Sequence, residues 1–150
     1  MNTKEAAVRK YIEQCEIEVP DAMVENELQY ITLEMKHRMQ YDTLTSGQLH
    51  LNPGAELAEQ EKELREAARY EAKSELVLKA VIAKQGFTVS PEELEAEAAA
   101  MAQRQNATVE QLKLFFGEEL AMLERDVKER KAVDWIYQQT LNRYTEEISK

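Results

Sequence analysis

Two histidines, one cysteine and a large stock of carboxylates are the groups in this chain that could hold a metal or move a proton. Glu34 and His37 form one Glu-x-x-His, which on a helix puts both side chains on one face, the spacing used by di-iron bundles. Such a site needs a second copy of the motif and two further glutamates. The second copy is missing, so His37 reads as a surface or helix-flank residue. Zinc asks for three or four Cys, His or carboxylate ligands at short spacings, and Cys15, His37 and His50 are too few and too well separated. The 29 acidic residues leave no particular carboxylate pair marked out as acid and base. There is no Gly-rich phosphate loop, and Ser46, Ser74, Ser90 and Ser149 lack the setting of an activated nucleophile. No catalysis, metal or cofactor is expected.

Apolar contact is the remaining chemistry. Met23, Met35 and Met39 fall in one stretch, with Tyr30 and Tyr41 widening the surface around them. Phe115, Phe116 and Met122 cluster around Gly117, and Met101 lies a little upstream. Methionine is flexible and polarisable, so it suits a surface that accepts varied partners. The same side chains could equally fill a core, and spacing alone does not separate these uses. Trp135 is expected to be structural.

The elements that must position these residues are helices. Apolar positions at helical spacing predict a first helix over 4–15, ended by the extended "EIEVP" at Glu16–Pro20. A second follows from about Asp21 to Asp42, with Val24, Leu28, Ile31, Met35 and Met39 on one stripe. "TLTSGQLHLNPG" is the least helical stretch and closes on Asn52-Pro53, an N-cap with a first-turn proline. From Pro53 to about Gln85 the pattern predicts one long helix, solvated on most faces in its charged first half and buried in its second half, "LVLKAVIAK". Gly86 suits its C-terminal cap. "GFTVSPEELEAE" then sets a helix start: Ser90 as N-cap, Pro91 at the first position, and Glu93 placed for a capping box. This fourth helix should reach about Gln103. Thr108 and Gln111 form a second capping-box candidate, opening a short helix that Gly117 can close. The last helix is expected from about Glu118 to Ser149. No strand longer than three or four residues is required, and the fold class is all-α.

The formal charge of −10, from 29 acidic and 19 basic residues, argues against a nucleic-acid partner, which would need a basic stripe. The only dense basic cluster is "KERK" at Lys128–Lys131, and Glu129 interrupts it. No apolar run approaches the ~18 residues of a membrane span, and "MNTKEAAVRKYIEQ" lacks the apolar core of a signal peptide. A cytoplasmic location is the default expectation. The abrupt helical start points to a piece of a longer protein or a natural stand-alone relative of one.

Three stretches together resemble the C-terminal peptide-binding domain of trigger factor, the bacterial ribosome-associated chaperone, and the related helical domain of SurA. They are "EIEVPDAMVENELQ" (16–29), "GFTVSPEELEAEAAAMAQRQNATVEQLKLFF" (86–116), and "GEELAMLERDVKERKAVDWIYQQT" (117–140). The resemblance covers about residues 5–142. It implies one helical peptide-binding domain over 1–150, elongated, with a first arm in 1–52, a long linking helix over 53–86, a second arm over 87–117 and a closing helix over 118–150. The implied function is an ATP-independent chaperone module that binds unfolded or nascent polypeptides in a cradle. In that family prolyl isomerase activity sits on a separate FKBP-type domain, and ribosome docking on an N-terminal domain with a Gly-Phe-Arg motif. Gly86-Phe87 is followed here by Thr88, so neither is expected in this chain. The implied client-binding residues are Met23, Tyr30, Met35, Met39, Tyr41, Met101, Phe115, Phe116 and Met122. The alternative is a structural helical module whose apolar faces meet one fixed protein partner or a second copy in a homodimer.

Overall fold

The charged, alanine-rich sequence forms helices wherever caps and turn residues do not interrupt it. A computed structural model describes residues 2–45, 47, 53–117 and 120–149, and of Pro53, Phe116 and Ser149 the backbone only. In chain order the helices are α1 (Thr3–Gln14), α2 (Asp21–Thr45), α3 (Pro53–Ala58), α4 (Glu61–Gln85), α5 (Pro91–Gln105), α6 (Val109–Phe116) and α7 (Ala121–Ser149), with no strand among the described residues. The expected N-cap Asn52, the candidate His50 and the expected first residues of the last helix, Glu118 and Glu119, lie outside the described residues. The chain divides into two compact units, residues 12–77 and residues 1–11 with 78–150.

In the unit 12–77, α2 lies on α4. Val24 of α2 is buried against Ala68 and Ala72, and Val19, Met23, Leu28 and Ile31 pack around them. Two alanines at i,i+4 give a row without bulk, so the α2 backbone can come close. The first half of α4 is exposed on most faces, as expected, and its alanines add one buried seam. The expectation that its second half is buried is corrected: Val77 and Val81 are buried, but Lys79, Ala80 and Ala83 are exposed, because one face alone meets a neighbouring element. Beside the seam Arg65 pairs with Glu25 across the helices and with Glu61 on its own helix at 3.3 Å. The Lys73 ammonium donates to the Glu13 carbonyl at 3.0 Å.

The single helix expected over 53–85 is broken at Glu59 and Gln60. The Gln60 N–H donates back to the Leu57 carbonyl at 3.0 Å, three residues away, and the Gln60 carbonyl then accepts from Leu64 at 2.9 Å to open α4. Every residue from Leu57 to Lys62 is a good helix former, so local propensity does not make this break. The contact of α3 with α2, with Leu57 and Leu64 both buried, overrides it.

In the other unit, α5, α6 and α7 share a core of Ala98, Ala102, Leu112, Leu120 and Leu123, joined by Leu94, Met101 and Val109. The helix ends that set this corner are local and complete. Gly86 turns left-handed at φ 64° and its N–H donates to the Ile82 carbonyl at 3.0 Å, closing α4. Ser90 caps α5: its hydroxyl accepts from the Glu93 N–H at 3.1 Å, and its own N–H donates to the Glu93 carboxylate at 3.4 Å. Asn106 takes the left-handed conformation at the end of α5. Thr108 and Gln111 repeat the box at the start of α6, at 3.1 and 2.9 Å. Leu120 is also left-handed, at φ 55°, though it is only 2% exposed. Its carbonyl accepts from Glu124 at 3.0 Å as α7 begins. The N-terminal helix joins this unit through α7: Lys4 pairs with Asp134, and Arg143 lies over the Tyr11 ring at 5.7 Å.

Candidate functional site

The singled-out residues separate by burial into two groups. Met23 packs at the α2–α4 seam and Met101 against the α5–α7 core. Met35 and Met39, on the inward stripe of α2, are half-buried. Tyr30, Tyr41, Phe115 and Met122 are exposed. The side chain of Phe116 lies outside the described residues. Tyr30 and Tyr41 thus share α2 in one unit, while Phe115 and Met122 border the α6–α7 corner in the other.

Three exposed leucines belong beside them and were not among the expected residues. Leu114 precedes Phe115 on α6, and the two are 87% and 86% exposed. Leu33 and Leu44 share the outer face of α2 with Tyr30 and Tyr41. Both patches have a physical origin in helix geometry. On α6, Val109 and Leu112 face the core, which turns the neighbouring Leu114 and Phe115 outward. On α2, Tyr30, Leu33, His37, Tyr41 and Leu44 recur at steps of three and four residues. At about 100° per residue they form a second stripe about 160° from the inward one. The spacing signal was present in the sequence, but the stronger inward stripe masked it.

Electrostatics around the α6–α7 patch hold the scaffold together. Glu97 of α5 accepts two hydrogen bonds from the Arg130 guanidinium of α7, at 3.0 and 2.8 Å, with Arg104 a further 3.7 Å neighbour. One turn earlier, Lys131 pairs with Glu93 at 2.8 Å and donates to the Thr88 carbonyl at 2.8 Å. Lys113 of α6 reaches Glu95 of α5 at 3.3 Å. The hydrogen bonds from Arg130 hold the Glu97 carboxyl below the usual carboxylate range. Lys131, with the Ser90 N–H second, does the same for Glu93. These groups stay ionised near neutral pH, which suits anchoring and not proton transfer. His37 is exposed on α2, and the described residues include no cluster of three His, Cys, Asp or Glu able to hold a metal ion. No helix among the described residues is long and apolar enough to cross a membrane. What the arrangement offers chemically is exposed apolar surface on rigid helices.

Comparison with known proteins gives this architecture a family. The family model for the C-terminus of the bacterial trigger factor protein matches residues 1–138. The trigger factor of Bacillus subtilis strain 168 is 35% identical over 133 residues, covering 89% of this chain and 31% of that protein. Trigger factor 1 of Desulfitobacterium hafniense strain Y51 is 31% identical over 141 residues, covering 93% of this chain and 33% of that protein. This chain therefore spans about a third of the length of the curated relatives it matches. A solved structure of trigger factor domains from Thermotoga maritima shares the fold, with a TM-score of 0.66 at 23% identity, over 91% of this chain and 80% of that one. The match along residues 1–138 and the shared all-helical fold place this chain in the bacterial trigger factor C-terminal family.

Proposed function

We propose that this chain is a chaperone module that binds unfolded or nascent polypeptides through exposed apolar side chains, without ATP. The observation that carries the reading is the pair Leu114 and Phe115, held almost fully exposed on a capped helix. Met122 extends the patch, and the membership of the family supports it. A soluble helix seldom presents two adjacent large apolar residues to water without a use for them. Covering them with an apolar client segment gains roughly 25 cal/mol per Å² before ordering costs. Two adjacent apolar side chains offer area and no fixed hydrogen-bond pattern of their own, so recognition is by apolar area and not by sequence. Contacts of that kind are weak and broad, and release needs no nucleotide.

Tyr30 and Tyr41 on the outer stripe of α2 form the second proposed contact area, and the half-buried Met35 and Met39 on the inward stripe add a separate, smaller one. Met23 and Met101 contribute by supporting the helices beneath. Prolyl isomerisation and ribosome docking are assigned to parts of longer relatives that this chain does not match. Two measurements test the proposal. The chain at several-fold molar excess should slow aggregation of a chemically unfolded client. An unfolded apolar peptide should shift the NMR resonances of α6 and the start of α7. Unchanged aggregation together with an unperturbed spectrum defeats the reading.

A further inference from the structure

Met122 differs from the other described methionines in what can reach its sulfur. Met23, Met35, Met39 and Met101 are half-buried, and Met122 is exposed by 62%. Its position follows from its neighbours. Leu120 and Leu123 both belong to the core shared by α5, α6 and α7. Met122 stands between them at the start of α7 and is turned to water. It borders the corner where α6 exposes Leu114 and Phe115. We infer that Met122 is an oxidation site, at which a peroxide reversibly weakens client contact by converting the thioether to a sulfoxide. The effect on clients rests on the proposed function; the site of oxidation does not.

The Met122 Sδ lone pair attacks one oxygen of hydrogen peroxide. The S–O bond forms as the O–O bond breaks. The departing hydroxide takes the proton of the transferred oxygen and leaves as water, so sulfur loses two electrons and peroxide gains them. Charge separates in this step, and water around the sulfur favours it. Exposure gives Met122 both the oxidant and that water. Met23, packed at the α2–α4 seam, and Met101, packed on the α5–α7 core, have less of each. Cys15 is half-buried and belongs to the unit 12–77. The sulfoxide is polar where the patch is apolar. Its oxygen accepts hydrogen bonds from water, and an apolar client segment laid over it removes those donors without replacing them. Because Met122 already faces water, the free chain gives up little packing, and the penalty falls on the client-bound state. Methionine sulfoxide reductases reverse the change: the oxygen leaves as water while two thiols join as a disulfide.

The test treats the full chain with graded hydrogen peroxide, quenched at about one added oxygen per molecule. Peptide mapping by mass spectrometry should find Met122 oxidised first, at least about tenfold faster than Met23 or Met101, with circular dichroism unchanged. Affinity for a fluorescently labelled unfolded peptide should fall about threefold. It should recover after treatment with methionine sulfoxide reductases of both stereospecificities and a dithiol. Met122→Leu should show one affinity with and without peroxide. Met122→Gln, polar and of similar length, should match the oxidised parent before any peroxide is added. An effect arising at Met1 or Cys15 would persist in Met122→Leu, so that variant separates it. Oxidation of Met23, Met35, Met39 or Met101 ahead of Met122 overturns the inference. So does a Met122 sulfoxide that leaves peptide affinity unaltered, or a peroxide effect that survives in Met122→Leu. An unoxidised chain without affinity for the peptide overturns the proposed function and the effect on clients with it, while the order of oxidation still decides the site.

Discussion

Replacing Leu114 by serine isolates the proposed client contact from folding. In the free chain Leu114 is 87% exposed, so its loss removes little that holds α6 in place. Surface changes of this kind usually shift stability by no more than about 0.5 kcal/mol. Covering a leucine completely is worth about 1.5–3 kcal/mol. A client that covers it in part and gives up about 0.5–1 kcal/mol in ordering leaves a net contribution of about 1 kcal/mol. Leu114→Ser should therefore weaken binding of a fluorescently labelled unfolded peptide by about fivefold, measured by anisotropy, with the urea midpoint unchanged. Met101→Ser is the control from the other group. Met101 packs on the α5–α7 core, so its truncation should cost about 1–2 kcal/mol of stability and affect the peptide only through unfolding. If Leu114→Ser destabilised the chain and left peptide affinity unaltered, the assignment of Leu114 to a contact surface would be wrong.

Three further outcomes are expected. Ser90→Ala removes the hydroxyl that accepts from Glu93 and should cost about 1 kcal/mol, seen as faster amide exchange confined to the first turn of α5. Glu97 has a carboxyl held below its unfolded range by Arg130, so its contribution is complete above the unfolded value of about 4.3. That contribution fades as pH falls through the lower folded value, and Glu97→Gln should flatten this acid limb in urea titrations run at successive pH. Ala72→Leu puts bulk into the α2–α4 seam, where Ala72 is fully buried, and should cost about 1–3 kcal/mol in thermal or urea unfolding.

The helix ends around α5 and α6 were legible because each depends on residues within one turn. Ser90 with Glu93, and Thr108 with Gln111, bond in the pairs their spacing predicted. The break at Glu59 and Gln60 was not legible, because nothing in that run opposes a helix. It comes from α3 lying against α2, a contact between residues distant in sequence. Alanine hid the α2–α4 seam for a related reason. Ala68 and Ala72 add little to a periodicity count, yet in the fold they set how closely two helices meet. For the candidate surface, residue type was readable and exposure was not. Met23 and Leu114 have similar apolar character, but one faces a neighbouring helix and the other water. Only the partner elements decide that.

The two capping boxes do the same geometric task with different chemistry. At the start of α5 the reciprocal acceptor is the ionised Glu93, also held by Lys131. At the start of α6 it is the Gln111 amide, which carries no titratable proton. Acid therefore reaches one latch and passes over the other. As pH falls through the lowered range of Glu93, the first turn of α5 loses its charged tether while the first turn of α6 keeps its own. Acid should then loosen the first turn of α5 relative to its own state at neutral pH and leave the cap of α6 as it was, a difference set by which residue stands third from the cap.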